Sequence, residues 1–390
     1  MIKKNKLKIL YFYIINLMVL SLCITFNEKI TQMIPFNTTY VKVILSFIFL
    51  YIILIKRLLG HKLRIRQRNL IILVLLICIL VSSLFYTIDK MSTIYYLSEF
   101  LLLIIYLLYI KQKKIDLKVF FKGMFIFFYI MSILNLLFIL FFKDYSIFYD
   151  TRYSEVYRGL FNHRTVLGYF AVISICFSNI ILFNFDFSKK SIIINIFIDI
   201  ILIYYSHSGV ATVVIILYPI LFFALSRINL KYKKIILIYI VSNYILTNAT
   251  IILKRFNSLF LQVLGRDFTL SGRLSLWENG IRLIKERIFL GYGFGVRLPV
   301  FNYDTYENSL AHLHNGVLDI VSNIGVVGFI PIIAILCISY EKAEKLYKNK
   351  SIFIKIFFVV ILLVGFTEPY LFYKIGIPFS WVIILYIFII

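Results

Sequence analysis

The amino-acid sequence predicts an all-α polytopic membrane protein. Hydrophobic residues make up 62% of the 390 residues, and the mean hydropathy is +0.93. A soluble protein of this length could not bury so much apolar surface, so lipid must be the solvent for most of it. The apolar residues also form long runs, which short clusters of lysine and arginine separate. This alternation is typical of membrane helices joined by loops.

The apolar runs have the length of membrane helices, which need roughly 20 mostly apolar residues. The sequence predicts about twelve spans in a single membrane domain over residues 1–390: 7–25, 39–55, 69–86, 92–110, 117–142, 165–185, 191–205, 209–226, 235–253, 313–340, 352–368 and 374–390. Only Ser206-His207-Ser208-Gly209 separates the seventh span from the eighth. These two could instead be a pair of short or broken helices.

The basic residues predict the orientation of the chain in the membrane. Basic clusters occupy every second connection, whereas the early connections between them hold only Lys29, Lys42 and Lys90. The positive-inside rule then places both termini in the cytoplasm. Residues 1–8 are basic and lead into an apolar run without a convincing cleavage site, which favours a retained first span. Because the +24 net charge lies in these loops, we expect membrane lipids as partners and no nucleic acid.

Three polar segments then fall on the extracytoplasmic face: residues 143–164, the tight Ser206–Gly209 connection, and a long loop over residues 254–312 between spans nine and ten. The unusual polar side chains therefore share one side of the membrane. We expect the functional site to face outward.

The long loop contains an amphipathic helical pattern. Apolar residues recur at steps of three and four: Leu274, Trp277, Ile281, Ile284 and Ile288. Such a helix could lie on the membrane surface or face a substrate. Arg266 and Arg273 bracket its start, and a helix start with adjacent guanidinium groups suits a pyrophosphate. The following Gly291-Tyr292-Gly293-Phe294-Gly295 predicts a tight turn near the membrane surface, because no strand precedes it as in a nucleotide-binding fingerprint.

Two histidines lie where the loop meets the next apolar run, in Ala311-His312-Leu313-His314-Asn315-Gly316. Their spacing points them in different directions, so a shared metal site is improbable. A capping or interface role is the structural alternative. Gly325 and Gly328 follow about three turns later, and this spacing favours close packing of another helix. The four cysteines lie far apart in apolar runs and predict neither a disulfide framework nor a metal site.

These residues together resemble the superfamily of O-antigen ligases and polysaccharide polymerases. The hallmark of that family is His-Asn, nine residues, Gly, two residues, Gly, and His314-Asn315 with Gly325 and Gly328 matches it in full. Further elements similar to the family are Gly272-Arg273 with Trp277, Leu290-Gly291-Tyr292-Gly293, and Gly159-Leu160-Phe161-Asn162-His163 before Arg164. The resemblance covers roughly residues 155–335.

The resemblance implies a GT-C-like membrane glycosyltransferase of the bacterial plasma membrane. Its donor would be a glycan on a polyprenyl pyrophosphate in the outer leaflet, and its acceptor a glycan hydroxyl. The implied catalytic residues are His314 as general base and Arg273 at the leaving pyrophosphate. The implied substrate-binding residues are Arg266, Arg164, Arg158, His163, Asn315, Trp277 and His207, with Asn315 as an orienting partner of His314. No metal or other cofactor is expected.

The sequence departs from the family in one element that bears on the site. The family often has an arginine between the seventh and eighth spans, where this chain has Ser206-His207-Ser208-Gly209. The second arginine at the pyrophosphate is therefore left open among Arg266, Arg164 and Arg158.

Two alternative functions remain at this level. The family motif occurs in polymerases, which join repeat units, and in ligases, which move a finished chain to a separate acceptor. The compact outer segments favour a polymerase. A lipid-linked glycan flippase is the alternative from another class, because Glu99, Asp199 and Asp319 lie in or near spans. The absence of an internal repeat and the large outer loop favour an enzyme over a flippase.

Overall fold

The computed structural model of the chain describes residues 2–22, 26–33, 38–60, 67–113, 115–150, 153–184, 187–227, 234–247, 273–302, 307–346 and 352–366. The first half contains α1 (Ile2–Leu22), α2 (Glu28–Met33), α3 (Thr38–Leu58), α4 (Gln67–Ser82), α5 (Lys90–Gln112), α6 (Leu117–Phe141), α7 (Lys143–Ser146), β1 (Ile147–Asp150) and β2 (Tyr153–Tyr157). The second half contains α8 (Arg164–Asn184), α9 (Lys189–Ser206), α10 (Gly209–Arg227), α11 (Lys234–Thr247), α12 (Arg273–Glu286), β3 (Leu298–Asn302), β4 (Glu307–Ala311), α13 (Gly316–Leu346) and α14 (Ile352–Gly365).

The chain is a helical membrane protein. Every predicted span except the last coincides with a helix, and the predicted span over residues 374–390 lies outside the described part of the chain. Within that part, 5 helical segments are long and apolar enough to cross a membrane: Lys90–Gln112, Lys118–Phe141, Arg164–Phe183, Gly209–Arg227 and Gly316–Lys342. The uncertain pair around His207 is two full helices, α9 with 18 residues and α10 with 19.

Helix α8 is the centre of the bundle. It packs against α6, α9, α10 and α14, and 83% of its apolar stretch is buried, against 11% for α10. Small residues allow this close packing, as is common between membrane helices. A Cβ atom on Gly168 would lie 2.6 Å from the Cβ of Ser208.

Aromatic pairs give the register between α8 and α14. The rings of Phe177 and Phe357 are 5.3 Å apart, and those of Phe183 and Phe353 stack at 4.2 Å. The residue numbers rise along α8 as they fall along α14, so the two helices are antiparallel. At 1.5 Å per residue, Arg164 lies about 20 Å beyond the first ring pair and Phe366 about 14 Å beyond it in the same direction. The start of α8 and the end of α14 therefore share one end of the bundle, which we call the site end.

Two short β-hairpins interrupt the helical pattern, and the all-α prediction did not include them. Strand β1 pairs with β2, and β3 pairs with β4, both antiparallel. The second hairpin aligns Leu298 with Ala311, directly before the histidines. Its strands are only five residues each, too short for a strand pattern to stand out in a long polar loop.

Two acidic residues considered for a flippase have partners inside the bundle. Glu99 of α5 forms a buried ion pair with Lys42 of α3, with 2.6 Å between Oε1 and Nζ. Asp199 of α9 accepts hydrogen bonds from Ser132 Oγ at 2.6 Å and from Asn195 Nδ2 at 3.0 Å. Each set of contacts joins neighbouring helices, as buried polar groups in membrane proteins commonly do.

Candidate active site

His314 and Asn315 form the entry to α13. Asn315 is the N-cap of this helix, because its Oδ1 accepts hydrogen bonds from the backbone N–H groups of Val317 at 3.0 Å and Leu318 at 3.1 Å. His314 has a φ of 48°, in the left-handed region. This conformation costs about 1–2 kcal/mol for a residue with a side chain. The contacts on either side of His314 must therefore hold it there.

The side chain of Asn315 joins three helix ends. Its Nδ2 donates to Asn243 Oδ1 at 2.9 Å, near the end of α11, and lies 3.5 Å from the backbone oxygen of Phe366, after α14. Asn315 is fully buried. The hydrogen bonds that the structure describes for this amide go to its own helix and to these neighbours, so Asn315 fixes His314 through the backbone. The predicted contact of Asn315 with substrate stays a prediction.

Leu313, on the other side of His314, is held by two side chains. Its backbone N–H donates to Asp319 Oδ1 at 3.1 Å, and its carbonyl oxygen accepts from Trp277 Nε1 at 2.8 Å. We call this arrangement the Leu313 clamp. The indole of Trp277 is 1% exposed, so the structure gives it a role in the interior of the protein. Its predicted contact with substrate stays a prediction.

His312 lies beside the same acidic residue. Its Nδ1 is 3.9 Å from Asp319 Oδ2, and the Asp319 side chain is buried. Asp319 was noted in the sequence only as an acid near a span, and Asn243 was not noted at all. The local signal for Asp319 is its place in the first turn of α13, where a carboxylate is favoured by the helix dipole.

The apolar face of α12 contacts other parts of the protein. Leu276, Leu283 and Ile284 pack with a small cluster that includes Leu313, Tyr292 and Leu298. Gly280 permits the close approach, since a Cβ there would lie 2.6 Å from the Leu313 side chain. The apolar stripe is therefore packed partly against protein, and its last residue, Ile288, is exposed. Arg273 opens α12, but its side chain and the whole of Arg266 lie outside the described residues.

Gly325 breaks α13, and this corrects the interpretation that the two motif glycines let another helix pack. Gly325 has φ 65° and ψ −176°. A Cβ there would overlap the carbonyl group of Phe289, in the turn after α12. Close packing at Gly325 is thus against this turn and not against another helix. The three atoms nearest to a Cβ on Gly328 belong to the Ile324 side chain.

The segment after α12 replaces the helical hydrogen bonds lost at this break. The N–H groups of Val326 and Val327 donate to the carbonyls of Ile288 at 2.9 Å and Phe289 at 3.3 Å. In return, the N–H groups of Tyr292 and Gly293 each donate at 2.8 Å to carbonyls of α13, those of Ser322 and Asn323. The backbone groups freed by Gly325 are therefore paired, as burial requires.

The glycine-rich turn is present, but it packs on the protein. Gly291, Gly293 and Gly295 all have positive φ. The N–H of Ile88 donates to the Tyr292 carbonyl at 3.1 Å, and a Cβ on Gly295 would overlap the ring of Tyr96. The turn thus lies between the break in α13 and the α4–α5 connection. Its predicted place near the membrane surface stays a prediction.

A second group of predicted residues surrounds the α9–α10 connection. Arg164 Nη1 donates to the carbonyl oxygen of His207 at 2.6 Å and lies 3.5 Å from that of Ser206. These carbonyls end α9, where the helix dipole favours a cation. His207 itself has a φ of 46°. A buried arginine from the start of α8 thus contacts the connection between α9 and α10. In the superfamily that the sequence resembles, this connection often contains an arginine of its own.

The first hairpin contributes to this group. The Arg158 guanidinium carbon is 5.8 Å from the centroid of the Phe148 ring, and His163 packs edge-on against the same ring at 4.7 Å. His163 Nδ1 lies 2.8 Å from Thr165 Oγ1. Phe148 therefore contacts both of these predicted binding residues.

Both groups lie at the site end of the bundle. Arg164 begins α8, and Asn315 contacts the backbone just after α14. The antiparallel register of these helices places Arg164 and Phe366 within roughly 6 Å of each other along the bundle axis. The structure thus collects the histidine motif and the Arg164–His207 group at the same level.

The sequence profile of a family described as O-antigen ligase matches residues 194–333. The matched residues run from within α9 to within α13. This part of the chain is similar to the O-antigen ligase family. It contains His207, Trp277, the Leu313 clamp, the His314-Asn315 pair and the Gly325 break, so the resemblance found in the sequence is confirmed. No curated protein matches the chain.

The similarity to the O-antigen ligase family is limited to residues 194–333. Arg158, His163 and Arg164 lie before the matched residues, and only their contacts with α9 and its surroundings connect them to the family region. Among the described residues, no group of three or more His, Cys, Asp or Glu side chains is placed to hold a metal ion.

Proposed function

We propose that this chain is a membrane glycosyltransferase that moves a glycan from a polyprenyl pyrophosphate to an acceptor hydroxyl, on the extracytoplasmic face of the bacterial plasma membrane. The observation that carries the proposal is the fixed backbone of His314. A buried cap on one side and the Leu313 clamp on the other hold this histidine in a left-handed conformation at a helix start. Backbone strain held in this way is typical of functional residues.

In the proposed reaction, the acceptor oxygen attacks the anomeric carbon of the donor sugar. A bond forms between these two atoms, and the bond from the anomeric carbon to the phosphate oxygen breaks. The imidazole of His314 takes the hydroxyl proton, and polyprenyl pyrophosphate leaves with the bonding electron pair. An unperturbed histidine has a pKa of about 6.5, which suits a base near neutral pH. No metal takes part in this scheme.

Arginines would neutralise the departing pyrophosphate. A guanidinium stays charged at any working pH and offers planar donors that match phosphate oxygens. We propose Arg273 for this role, with Arg266, Arg164 or Arg158 as the second cation. The contact of Arg164 with the α9–α10 connection supports Arg164, because the guanidinium lies at the site end and is anchored by helix carbonyls. His163, His207 and Trp277 would line the glycan-binding region.

Within this chemistry we propose a polymerase that joins repeat units, since the outer segments are compact. A ligase is the second candidate, and the description of the matched family favours it. The two differ in product. With lipid-linked repeat units as the only substrate, a polymerase lengthens the lipid-linked glycan, whereas a ligase acts only when a separate acceptor is supplied.

The test of the proposal is release of polyprenyl pyrophosphate by the purified protein from a lipid-linked glycan. We expect release by the wild-type protein and none from His314→Ala or Arg273→Ala, with normal protein level and membrane insertion. Lys285→Ala, an exposed cation on the same helix as Arg273, is the matched control and should retain activity. Movement of the intact donor across the membrane without release of polyprenyl pyrophosphate would instead establish a flippase. Wild-type activity in His314→Ala would show that His314 is not the general base.

A further inference from the structure

We infer that Asp319 is a positioning residue for His314, and that it acts through the backbone of Leu313. This inference rests on the proposed function for the role of His314. Asp319 lies five residues beyond His314, within the first turns of α13. Its carboxylate contacts the backbone N–H of Leu313 and lies near His312.

The Leu313 clamp fixes the backbone on both sides of one buried residue. Asp319 Oδ1 accepts from the Leu313 N–H at 3.1 Å, and Trp277 Nε1 donates to the Leu313 carbonyl at 2.8 Å. That carbonyl belongs to the peptide unit that ends in the nitrogen of His314. Together with the side chain of Leu313, which is 0% exposed, these bonds fix the direction from which the chain enters His314.

The cap fixes the other side. Asn315 binds the first N–H groups of α13 and is tied to Asn243. His314 is therefore a left-handed residue between two anchored neighbours. If the hydrogen bonds of either neighbour are lost, the φ of His314 can return to the more favourable right-handed or extended regions. The imidazole then points in another direction. Helix α13 holds both ends of this arrangement, since Asp319 and the capped N–H groups belong to the same helix.

The carboxylate of Asp319 has two oxygens with different neighbours, so two roles can be separated. Oδ1 binds the Leu313 N–H, and Oδ2 lies 3.9 Å from His312 Nδ1. An asparagine at 319 keeps an acceptor for the N–H but removes the charge that faces His312. An alanine removes both. Asparagine at position 312 removes the imidazole and leaves the Leu313 N–H bond in place.

The experiment compares Asp319→Asn, Asp319→Ala and His312→Asn in the polyprenyl pyrophosphate release assay, with folding checked by gel filtration in detergent. We expect Asp319→Ala to lower kcat by about 100-fold with the donor KM unchanged, as a displaced catalytic group does. Asp319→Asn should restore most of that kcat, and His312→Asn should stay close to wild type. The inference is overturned if Asp319→Asn is as inactive as Asp319→Ala, or if Asp319→Ala keeps wild-type kcat.

A second measurement does not depend on activity. Amide hydrogen exchange of the segment containing Leu313 should be slow in the wild type and in Asp319→Asn, and faster in Asp319→Ala. Unchanged exchange in Asp319→Ala would reject the clamp. If the wild type releases no polyprenyl pyrophosphate but exchange changes as expected, the proposed function fails while the clamp stands.

Discussion

His314 is held through its neighbours Leu313 and Asn315, which are fixed by hydrogen bonds with Trp277, Asp319 and Asn243. Its left-handed backbone is unfavourable by about 1–2 kcal/mol. Each of the hydrogen bonds on Leu313 and Asn315 contributes about 1 kcal/mol. These bonds together outweigh the strain, so the conformation is stable only while they are intact. The activity of His314 should therefore depend on Trp277 and Asp319 as well as on its own side chain.

Trp277→Phe tests one side of the Leu313 clamp. The phenyl ring keeps most of the packing but has no N–H, so the buried Leu313 carbonyl loses its donor. We expect the free energy of unfolding to fall by about 1–3 kcal/mol and the release rate to fall with it. Thermal unfolding in detergent and the release assay measure the two effects.

Tyr292→Phe is the matched control for Trp277→Phe. It also removes one hydrogen-bond donor near α12. The Tyr292 hydroxyl donates to the Leu283 carbonyl at 3.2 Å and to Glu286 Oε2 at 3.0 Å. Burial, and then the hydrogen bond that Tyr292 donates to the Glu286 carboxylate, raises the pKa of Tyr292, so this hydroxyl stays a donor at neutral pH. Because no bond to Leu313 is lost, the release rate should not change. Equal losses of activity in both variants would contradict the clamp.

Helix α13 consists of two helical parts that meet at Gly325. The segment after α12 supplies hydrogen bonds to the backbone groups that are unpaired within the helix at this point. The same segment leads through the glycine turn and the second hairpin to the histidines. One stretch of backbone therefore ties the middle of α13 to its start. This accounts for a glycine at 325 in physical terms, because only a residue without a Cβ fits against the Phe289 carbonyl.

Gly325→Ala should disrupt this element. Alanine would need a φ of 65° and would place its Cβ on the Phe289 carbonyl group, so we expect a loss of more than about 2 kcal/mol in stability. Gly328→Ala is the comparison, and a smaller loss is expected there, since the three atoms nearest to its Cβ are side-chain atoms of Ile324 at 2.5–2.8 Å and none is backbone. The folded fraction after detergent extraction measures both. Equal stability of the two variants would show that the break is not required.

The start of α5 offers a test of capping and pH. Asp89 accepts a hydrogen bond from the Ser92 N–H at 3.1 Å. Hydrogen bonding to the Ser92 side chain, and then to its N–H, lowers the pKa of Asp89. Its contribution to stability is therefore present above the ordinary carboxyl pKa and is lost as pH falls through the lowered value. Asp89→Ala should reduce stability by about 1 kcal/mol at neutral pH. The difference from wild type, followed by thermal unfolding, should disappear in acid; a constant difference would argue against the cap.

At the scale of the whole molecule, the bundle places its polar chemistry at one end. Arg164 with His207, the capped start of α13 and the ends of α11 and α14 meet there. Such an arrangement suits a reaction on a lipid-linked substrate, because the polyprenyl chain can stay in lipid while its pyrophosphate meets cations at the helix ends.

The proposed orientation, with twelve spans and both termini in the cytoplasm, is tested by cysteine labelling. In a background without native cysteines, Ser258→Cys and Asn302→Cys should react with an impermeant thiol reagent from outside intact cells. Lys113→Cys, in the basic connection between α5 and α6, should react only after permeabilisation. The reverse pattern would invert the orientation.

The sequence by itself determined the helical membrane class and the positions of the long described helices, and it singled out the His314-Asn315 pair, because composition, helical period and short motifs are local properties of the chain. It did not reveal the two hairpins, the partner of Gly325, or the roles of Asn243 and Asp319. Those depend on contacts such as Trp277 with Leu313, 36 residues apart, and Asn315 with Asn243, 72 apart. No local pattern encodes which distant groups meet, so only the tertiary structure decided how His314 is held.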